Sequence, residues 1–408
     1  MKKILLMLLC AALLLTGCGN TAAENLTNVG SAGSTAELTE EAPAEGRSSD
    51  EIAEAAESSK SSENGQTEGD FVVPEIDASV AADEEFTSSV FAMDTYMSLK
   101  AYGPGAQEAL SLITEDIAAL DRSLSVTSEG SEIHAVNAAA GSAVAVSAQT
   151  RSLISRSVAL GDTCGNALDI SLYPVLTAWG FTTEEYQIPT ENTITELLRH
   201  VNDDEILVDE EAGTVTIPEG MQIDLGSVVK GYAGDRAVTA LEACGVSSAL
   251  INLGGSTIRL LGTKLDGSLW KVAVQDPEDP DGYAGVLAVS DCAVDTSGGY
   301  ERYFEDDAGN VYWHILDPAT GYPARSGVIS ATIVSPDSFT GDGLSTACFV
   351  MGLEDTIAYW RENGGFEFVL ITDENEIYAS EGIADSFTPA GSYENKTVHV
   401  VPFEDSGE

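Results

Sequence analysis

Oxygen-bearing side chains recur one helical turn apart near the end of the chain. Residues 341–347, Gly-Asp-Gly-Leu-Ser-Thr-Ala, open an apolar stretch that predicts a helix. Asp342 and Thr346 are four residues apart, so one face of that helix would present both, with Ser345 beside them. A carboxylate with hydroxyl groups is the hard oxygen set that Mg²⁺ or Ca²⁺ binds, and a helix N-terminus attracts phosphate oxygens. Because Asp, Ser and Thr also cap helices, the spacing alone leaves a metal site and a helix cap open.

A lysine follows a predicted tight turn in the middle of the chain. Residues 221–225 predict a short strand, and the apolar stripe after residue 228 predicts a helix. Gly226 between them allows the backbone to approach a ligand closely. Lys230, one turn into the helix, could meet an anion at this turn or pair with Asp224. The glycine spacing differs from that of a Walker phosphate loop, and a surface lysine beside a capping aspartate is the structural alternative.

A histidine stands at the mouth of a third predicted turn. His314 lies near the end of a predicted strand, residues 311–315, before a turn fixed by Pro318 and Gly321. The chain has only four histidines, and an imidazole at the mouth of a turn suits general acid–base catalysis near neutral pH. A hydrogen-bonded structural histidine would give the same pattern.

Small polar residues cluster at positions 295–299, Asp-Thr-Ser-Gly-Gly, which predicts a turn. Its backbone N–H groups could bind an anion or a ring carbonyl. A catalytic serine triad has little support, because the chain has no G-x-S-x-G elbow.

The hydrophobic pattern predicts a mixed α/β body of the α+β class, with many hairpins and a few long helices. Helices are expected at residues 106–120, 147–160, after 228, 341–351 and 353–360. Strands are expected at residues 88–102, 205–209, 214–217, 249–253, 270–274, 286–289, 300–304, 311–315, 330–334, 367–371 and 376–379. Strands and helices do not alternate regularly, so a doubly wound parallel sheet is not predicted.

The chain is strongly acidic, with 67 Asp and Glu against 18 Lys and Arg and a net charge of −49. Such a surface repels nucleic acid, anionic lipid and a bare dinucleotide. An acidic protein that handles phosphates therefore needs a local cation, which favours a metal site.

The N-terminus has the features of an export signal. Lys2 and Lys3 precede an apolar run at residues 4–15, which is shorter than the ~20 residues of a membrane-spanning helix. We therefore predict a signal peptide at residues 1–17. Small residues before Cys18 resemble the bacterial lipoprotein box, which implies cleavage before Cys18 and acylation that holds the chain to a membrane. Residues 18–70 are then the lipidated cysteine and a disordered, low-complexity linker, and residues 71–408 are the folded body.

The remaining cysteines give no zinc motif. Cys164, Cys244, Cys292 and Cys348 lie far apart in the sequence without a C-x-x-C pair. Buried free thiols are the favoured interpretation, although the sequence does not settle disulfide pairing.

The order of the motifs is more specific than any one of them. Segments 93–95, 167–169, 224–235, 254–255, 296–298, 314–321 and 342–346 follow one another in a succession that closely resembles the ApbE family, the FAD:protein FMN transferases. The resemblance extends from about residue 91 to about residue 363, and segments 131–137 and 173–181 also resemble that family.

The resemblance implies roles for individual residues. The positions matching the FAD site are Met93, Ala167, Leu168, Asp169, Asp224 and Lys230, with His314 and Ile315 next to the flavin and pyrophosphate. Those matching the Mg²⁺ site are Ser227, Asp342 and Thr346, with Ser345 close by. Ser227 replaces a small apolar residue that commonly supplies a backbone carbonyl. Asp94, Leu168 and Gly343 also depart from common family residues without removing a ligand.

The resemblance further implies a reaction. Residues 71–408 would be an FAD-binding FMN transferase domain that moves FMN to a Thr or Ser hydroxyl of an exported or membrane flavoprotein, with loss of AMP. His314 is the expected base. An FAD pyrophosphatase, a flavin-binding lipoprotein without catalysis, a solute-binding lipoprotein and a structural lipoprotein are the alternatives. One or two metal ions fit these ligands, and monomer and dimer remain equally open.

Overall fold

The computed structural model describes residues 71–139 and 141–404. The predicted signal peptide, Cys18 and the linker lie outside these residues. The helices are α1 (Ala106–Leu124), α2 (Glu132–Ala138), α3 (Ala148–Thr163), α4 (Tyr173–Trp179), α5 (Glu191–Leu197), α6 (Val229–Ala243), α7 (Ser338–Asn363) and α8 (Glu381–Ala384).

The strands alternate with these helices irregularly. They are β1 (Glu85–Ala92), β2 (Thr95–Tyr102), β3 (Val144–Ala145), β4 (Leu207–Asp209), β5 (Thr214–Thr216), β6 (Ala249–Asn252), β7 (Thr257–Leu261), β8 (Trp270–Gln275), β9 (Tyr283–Val289), β10 (Ala293–Gly298), β11 (Tyr303–Glu305), β12 (Val311–Trp313), β13 (Val328–Ser335), β14 (Glu367–Thr372), β15 (Ile377–Ser380), β16 (Phe387–Pro389) and β17 (Val398–Val401).

A nine-stranded sheet forms the centre of the fold, in the order β1-β2-β6-β7-β10-β13-β14-β15-β17. Its neighbours pair antiparallel except β15 and β17, which are parallel. Helices α1, α6 and α7 pack on one face. A smaller sheet, β16-β9-β8, covers the other face over a second apolar core that includes Leu260, Leu287 and Val334. This three-layer α+β arrangement confirms the predicted fold class.

Three predicted elements were wrong. Residues 221–225 do not form a strand, because only Gln222 pairs, in an isolated bridge with Leu172. Residues 88–102 do not form one strand but belong to the hairpin of β1 and β2, turned by Met93 and Asp94 with φ of 51° and 60°. Residues 295–298 lie not in a turn but in β10, a central strand paired with β7 and β13. Residues 295–298 have turn-forming types, but pairing with two neighbouring strands outweighs that local preference.

The two helices predicted at residues 341–351 and 353–360 are confirmed as the two arms of α7, which is interrupted at Gly352 by non-helical backbone with φ of 81° and ψ of −173°. Its start carries the predicted metal residues, and it packs against α6 and the central strands. Cys164, Cys244, Cys292 and Cys348 are buried free thiols, which confirms that prediction. Within the described ranges, no helix is both long and apolar enough to cross a membrane.

Candidate active site

The N-terminus of α7 is fixed against α6 by two aspartates. Asp235 on α6 accepts hydrogen bonds from the backbone N–H groups of Ser338 at 2.7 Å and Phe339 at 3.0 Å. Asp337 caps the same helix through Thr340 N at 2.9 Å. These bonds satisfy otherwise unpaired N–H groups and hold the first turn of α7 in place.

Asp342 lies one turn further, buried between the two helices. Its Oδ2 accepts a hydrogen bond from Gly231 N at 2.8 Å, and Thr257 Oγ1 donates to Oδ1 at 3.4 Å. A Cβ on Gly231 would lie 2.1 Å from Ser338 O, so only glycine permits this approach. Burial raises the pKa of Asp342 to about 6, although the Lys230 ammonium opposes the shift.

Three hydroxyl groups surround the same helical turn. Ser297 Oγ on β10 lies 2.8 Å from Ser345 Oγ and 3.2 Å from Thr346 Oγ1. Ser345 also donates to the Asp342 carbonyl at 2.8 Å. The structure thus brings Asp342, Ser345 and Thr346 together, as helical spacing predicts, and adds Ser297 from the strand below.

A second buried carboxylate lies beneath this turn. Asp295 is fully buried on β10, and neither of its carboxylate oxygens has a hydrogen-bond partner of normal geometry among the described residues. Burial and the nearby Asp342 carboxylate raise its pKa well above the usual value. Gly341 leaves it room, because a Cβ there would lie 2.1 Å from Asp295 Oδ2.

This set of donors fits a hard divalent cation. It consists of oxygens only, and buried carboxylates with an unpaired member favour a positive charge nearby. No group of three or more His, Cys, Asp or Glu side chains in the described part of the chain is arranged to bind a metal. A cation here would therefore also need hydroxyl and backbone oxygens.

Ser227 lies in the turn that leads into α6. Val228, its neighbour, packs close to α7 at Gly343, where an added Cβ would lie 3.3 Å from Val228 Cγ1 and from Leu168 Cδ2. The glycine at position 343 therefore allows the turn and the helix to approach each other. The carbonyl of Ser227 as a metal ligand stays a prediction.

Lys230 connects the metal residues to the rest of the site. Its ammonium group hydrogen-bonds Ser256 Oγ in the β6–β7 connection. Its charge affects the pKa values of Asp342, Asp295 and His314, so all three lie within its electrostatic reach. Lys230 is half-buried in the first turn of α6 and is not the isolated surface lysine of the structural alternative.

His314 follows β12 and is held by one backbone carbonyl. Its Nδ1 lies 3.2 Å from Arg302 O, and its backbone N donates to the same oxygen at 3.1 Å. Because a carbonyl only accepts, Nδ1 must carry the proton and Nε2 is left free to accept one. Burial and the charges of Arg302 and Lys230 lower the pKa of His314 to about 4, so the ring is neutral at pH 7.

The Met93 turn lies beside this histidine. Met93 N donates to Asp121 Oδ1 at 2.9 Å, which fixes the hairpin turn on α1. Asp94 Oδ2 accepts from Arg302 Nη2 at 3.1 Å, and Arg302 is the residue that holds His314. The Asp94–Arg302 pair is largely exposed, so it positions the turn more than it stabilises the fold.

The segment at residues 167–169 runs next to Asp224. Ile170 O accepts from Asp224 N at 2.8 Å, which joins the two segments. Asp169 Oδ1 accepts from Ser171 N at 2.7 Å and from Ser171 Oγ at 2.5 Å. Burial raises the pKa of Asp224, with Arg302 opposing, so Asp224 is within reach of the His314 side of the site. Ala167 is half-buried, and Leu168 and Ile315 are buried.

Aromatic rings flank His314. Phe181 lies edge-on to the imidazole at 6.4 Å, and Phe304 stacks on Tyr312 at 5.1 Å and on Tyr186 at 5.2 Å between ring centroids. A surface of this kind suits a planar aromatic ligand.

Sequence reasoning missed several of these residues. Asp295 and Ser297 belong to a motif that was noted only for its backbone, and Arg302 and Ser256 carried no recognised signal. The sequence of β10, Ala-Val-Asp-Thr-Ser-Gly, has no apolar–polar alternation that would have assigned it to a sheet.

Comparisons with known proteins identify the family. The model of the ApbE family matches residues 93–370. The chain belongs to the ApbE family. It is 36% identical over 283 residues to the FAD:protein FMN transferase of Treponema pallidum, covering 64% of this chain and 76% of that protein. It is 32% identical over 272 residues to a Klebsiella pneumoniae protein of the same name, covering 66% and 84%.

Solved structures of ApbE proteins share the fold. The ApbE protein of Thermotoga maritima is 34% identical with a TM-score of 0.68, covering 73% of this chain and 97% of that one. The apo form of the Pseudomonas stutzeri flavinyl transferase ApbE is 27% identical with a TM-score of 0.66, covering 74% and 96%. The predicted resemblance to the ApbE family and the predicted type of fold are thereby confirmed.

Proposed function

We propose that this chain is an FAD:protein FMN transferase, which moves FMN from FAD to a Thr or Ser hydroxyl of an acceptor flavoprotein. The observation that carries the proposal is that the first turn of α6 bears Lys230 and binds Asp342 through Gly231 N at 2.8 Å, and that the Lys230 charge also reaches His314. A site that offers oxygen ligands, a cation and a neutral imidazole within one region suits phosphoryl transfer. The relatives in Treponema and Klebsiella carry this activity in their names.

Mg²⁺ is the proposed cofactor, with Asp342, Thr346 and the Ser227 carbonyl as ligands and Ser345 supporting them. Bound there, it would offset the charge of the FAD pyrophosphate. Lys230 contributes a second positive charge near the same place, which matters in a chain of net charge −49. Met93, Ala167, Leu168, Asp169, Asp224 and Ile315 are the proposed walls of the FAD site.

His314 is the proposed base. The acceptor hydroxyl oxygen forms a bond to the FMN phosphorus, the bond from that phosphorus to the AMP oxygen breaks, and AMP leaves. The hydroxyl proton passes to His314 Nε2, which the Arg302 carbonyl leaves free by holding Nδ1. The low pKa keeps Nε2 unprotonated at neutral pH.

A direct assay tests the transfer. The full chain is incubated with FAD, Mg²⁺ and an exported flavoprotein that carries a Thr or Ser acceptor, and mass spectrometry detects FMN on the acceptor and released AMP. We expect labelling that is lost with EDTA and with Asp342→Ala, but kept in Asp355→Ala, an exposed aspartate on the same helix. Free FMN and AMP without labelling would indicate an FAD pyrophosphatase, and intact FAD throughout would indicate flavin binding alone.

The chain is also proposed to be a lipoprotein on the extracytoplasmic face of the cell membrane. The support is the charged and apolar N-terminus with small residues before Cys18, all outside the described residues. Incorporation of labelled palmitate is expected in the wild type and in Cys10→Ala, and should be lost in Cys18→Ala. Labelling that survives in Cys18→Ala would contradict the anchor. Protease added to cells stripped of their outer envelope should digest the body, and protection there would contradict the location.

A further inference from the structure

A cavity of about 340 Å³ opens between α3, α6 and the segment that joins β13 to α7. None of the residues predicted to bind FAD or the metal lines it. Three arginines do, Arg156, Arg236 and Arg259, together with Asp235 and Asp337. The whole chain has only 18 lysines and arginines, so three guanidinium groups at one cavity are a strong local concentration of positive charge.

Arg259 is the decisive residue. It lies on β7 with 9% of its surface exposed, and its Nε and Nη1 atoms have no hydrogen-bond partner among the described residues. Burying an unpaired guanidinium costs folding free energy unless a ligand supplies the missing charge and hydrogen-bond acceptors. Asp235 lines the same cavity and feels the charge of Arg259, but no ion pair joins the two among the described residues, and the Asp235 oxygens accept from the N–H groups of Ser338 and Phe339.

Arg156 supplies a second available guanidinium. It stacks over the Phe339 ring at 4.0 Å and forms no ion pair within the described part of the chain. Arg236, in contrast, is bound to both oxygens of Asp116 at 2.6 Å. The guanidinium groups of Arg259 and Arg156 are therefore available to a ligand. Arg259 is held by the packing around it, and Arg156 by stacking on Phe339.

We propose that this cavity is a binding site for a small organic oxyanion, a phosphate or carboxylate group on a molecule that also bears hydrogen-bond donors. The planar fork of arginine matches such groups, and the volume is that of a small-molecule site. Asp337, which also lines the cavity, would accept hydrogen bonds from those donors. The site is separate from the proposed transfer reaction. Helix α6 contributes residues to both, and Asp337 of the cavity caps α7, so occupancy would also stiffen the helices that hold Asp342.

The test is a melting-temperature titration of the full chain without FAD or metal. Inorganic phosphate and acetate serve as probes, each against chloride at constant ionic strength. A ligand that binds only the folded state raises the melting temperature saturably, by roughly 2–5 °C well above its Kd. We expect that rise with at least one probe in the wild type, and the probe that gives it distinguishes phosphate from carboxylate.

Variants assign the response to the cavity. Arg259→Met and Arg156→Gln should abolish it, Arg259→Lys should weaken it, and Asp342→Asn and Arg199→Gln should keep it. Arg259→Met should melt no lower than the wild type, because it removes an unpaired buried charge. Arg156→Gln changes a half-buried side chain that has no ion pair among the described residues, and it does not depend on that argument. The proposal is overturned by an absence of saturable response to either probe, by a response that persists in both Arg259→Met and Arg156→Gln, or by its loss in Asp342→Asn.

Discussion

Buried carboxylates without full hydrogen bonding are the main electrostatic feature of single residues in this protein. Asp203 is one of them: it is 1% exposed, its Oδ2 accepts from Ile170 N at 3.1 Å and its Oδ1 has no partner among the described residues. Burial and the Asp169 carboxylate raise its pKa to about 7. The charge on Asp203 therefore bears directly on the segment that we assign to the FAD site.

Asp203→Asn should stabilise the protein at alkaline pH. Between about pH 4 and pH 7 the folded state holds a proton that the unfolded state releases, so the stability of the wild type falls as pH rises through this window. Asn does not titrate, so the variant should gain about 1–4 kcal/mol at pH 8 and little at pH 4. Urea unfolding at both pH values measures this. Exposed Glu211→Gln is the control, and equal pH slopes for Asp203→Asn and the wild type would contradict the argument.

His314→Gln tests the proposed base. Glutamine keeps much of the volume and polarity but cannot take a proton, so FMN transfer should fall by roughly 10²–10⁴-fold in kcat. The KM for FAD should change little, because the Arg302 and Lys230 charges remain. The matched control is His399→Gln, an exposed histidine on β17 at the edge of the sheet. A rise in the KM for FAD with an unchanged kcat would instead assign His314 to FAD binding.

At this scale the sequence predicted the site in part. Helical spacing placed Asp342, Ser345 and Thr346 together, and the family order brought Lys230 and His314 to them. Arg302 and Ser297 were not predicted, because their partners are distant in the sequence. Arg302 binds Asp94, 208 residues away, and Ser297 binds Ser345, 48 residues away. Contacts of that kind follow from sheet pairing and leave no local pattern.

The junction of α6 and α7 is the element on which the candidate metal site depends. Gly231 lets the two helices approach so closely that an added Cβ would lie 2.1 Å from Ser338 O and 2.7 Å from Asp342 Cβ. A backbone oxygen cannot move aside as the end of a flexible side chain can. Tight glycine contacts therefore set the position of Asp342.

Gly231→Ala should separate the helices despite alanine's better helix propensity. We expect a loss of more than about 2 kcal/mol in the free energy of unfolding and a weaker response to Mg²⁺, since overpacking outweighs a propensity gain of about 1 kcal/mol. Gly130→Ala is the control, because nothing lies within 4 Å of its added Cβ. Denaturant unfolding with and without Mg²⁺ measures both effects. Equal stability of the two variants would show that the junction is loose.

The elements were predictable where their periodicity is strong. Helix α1 was expected at residues 106–120 and extends to Leu124, and the hairpin of β4 and β5 was found where Gly213 indicates it. Strand β10 was missed because Asp-Thr-Ser-Gly is typical of turns, and its polar face is tolerated in the centre of the sheet only because α7 brings hydroxyl groups to it. The β1–β2 turn was missed because Met93 rarely adopts a positive φ.

The charge of the whole molecule sets its response to salt. At a net charge of −49, like charges repel throughout the folded chain. Ion pairs offset little of this, because those in the described ranges are few, and Lys100–Glu85 and Arg199–Glu196 are exposed. Salt should therefore weaken the repulsion between like charges more than it weakens the attraction within ion pairs.

The melting temperature should consequently rise with salt, by roughly 2–6 °C between about 0.01 M and 0.15 M NaCl, as the Debye length falls from about 30 Å to about 8 Å. Choline chloride should give the same rise, since screening depends on ionic strength and not on the cation. Chloride is the anion of choice because sulfate would enter the Arg259 cavity. Most soluble proteins carry far less charge and respond weakly in this range. A melting temperature that falls with NaCl would mean that ion pairs, and not net repulsion, dominate the electrostatics of the fold.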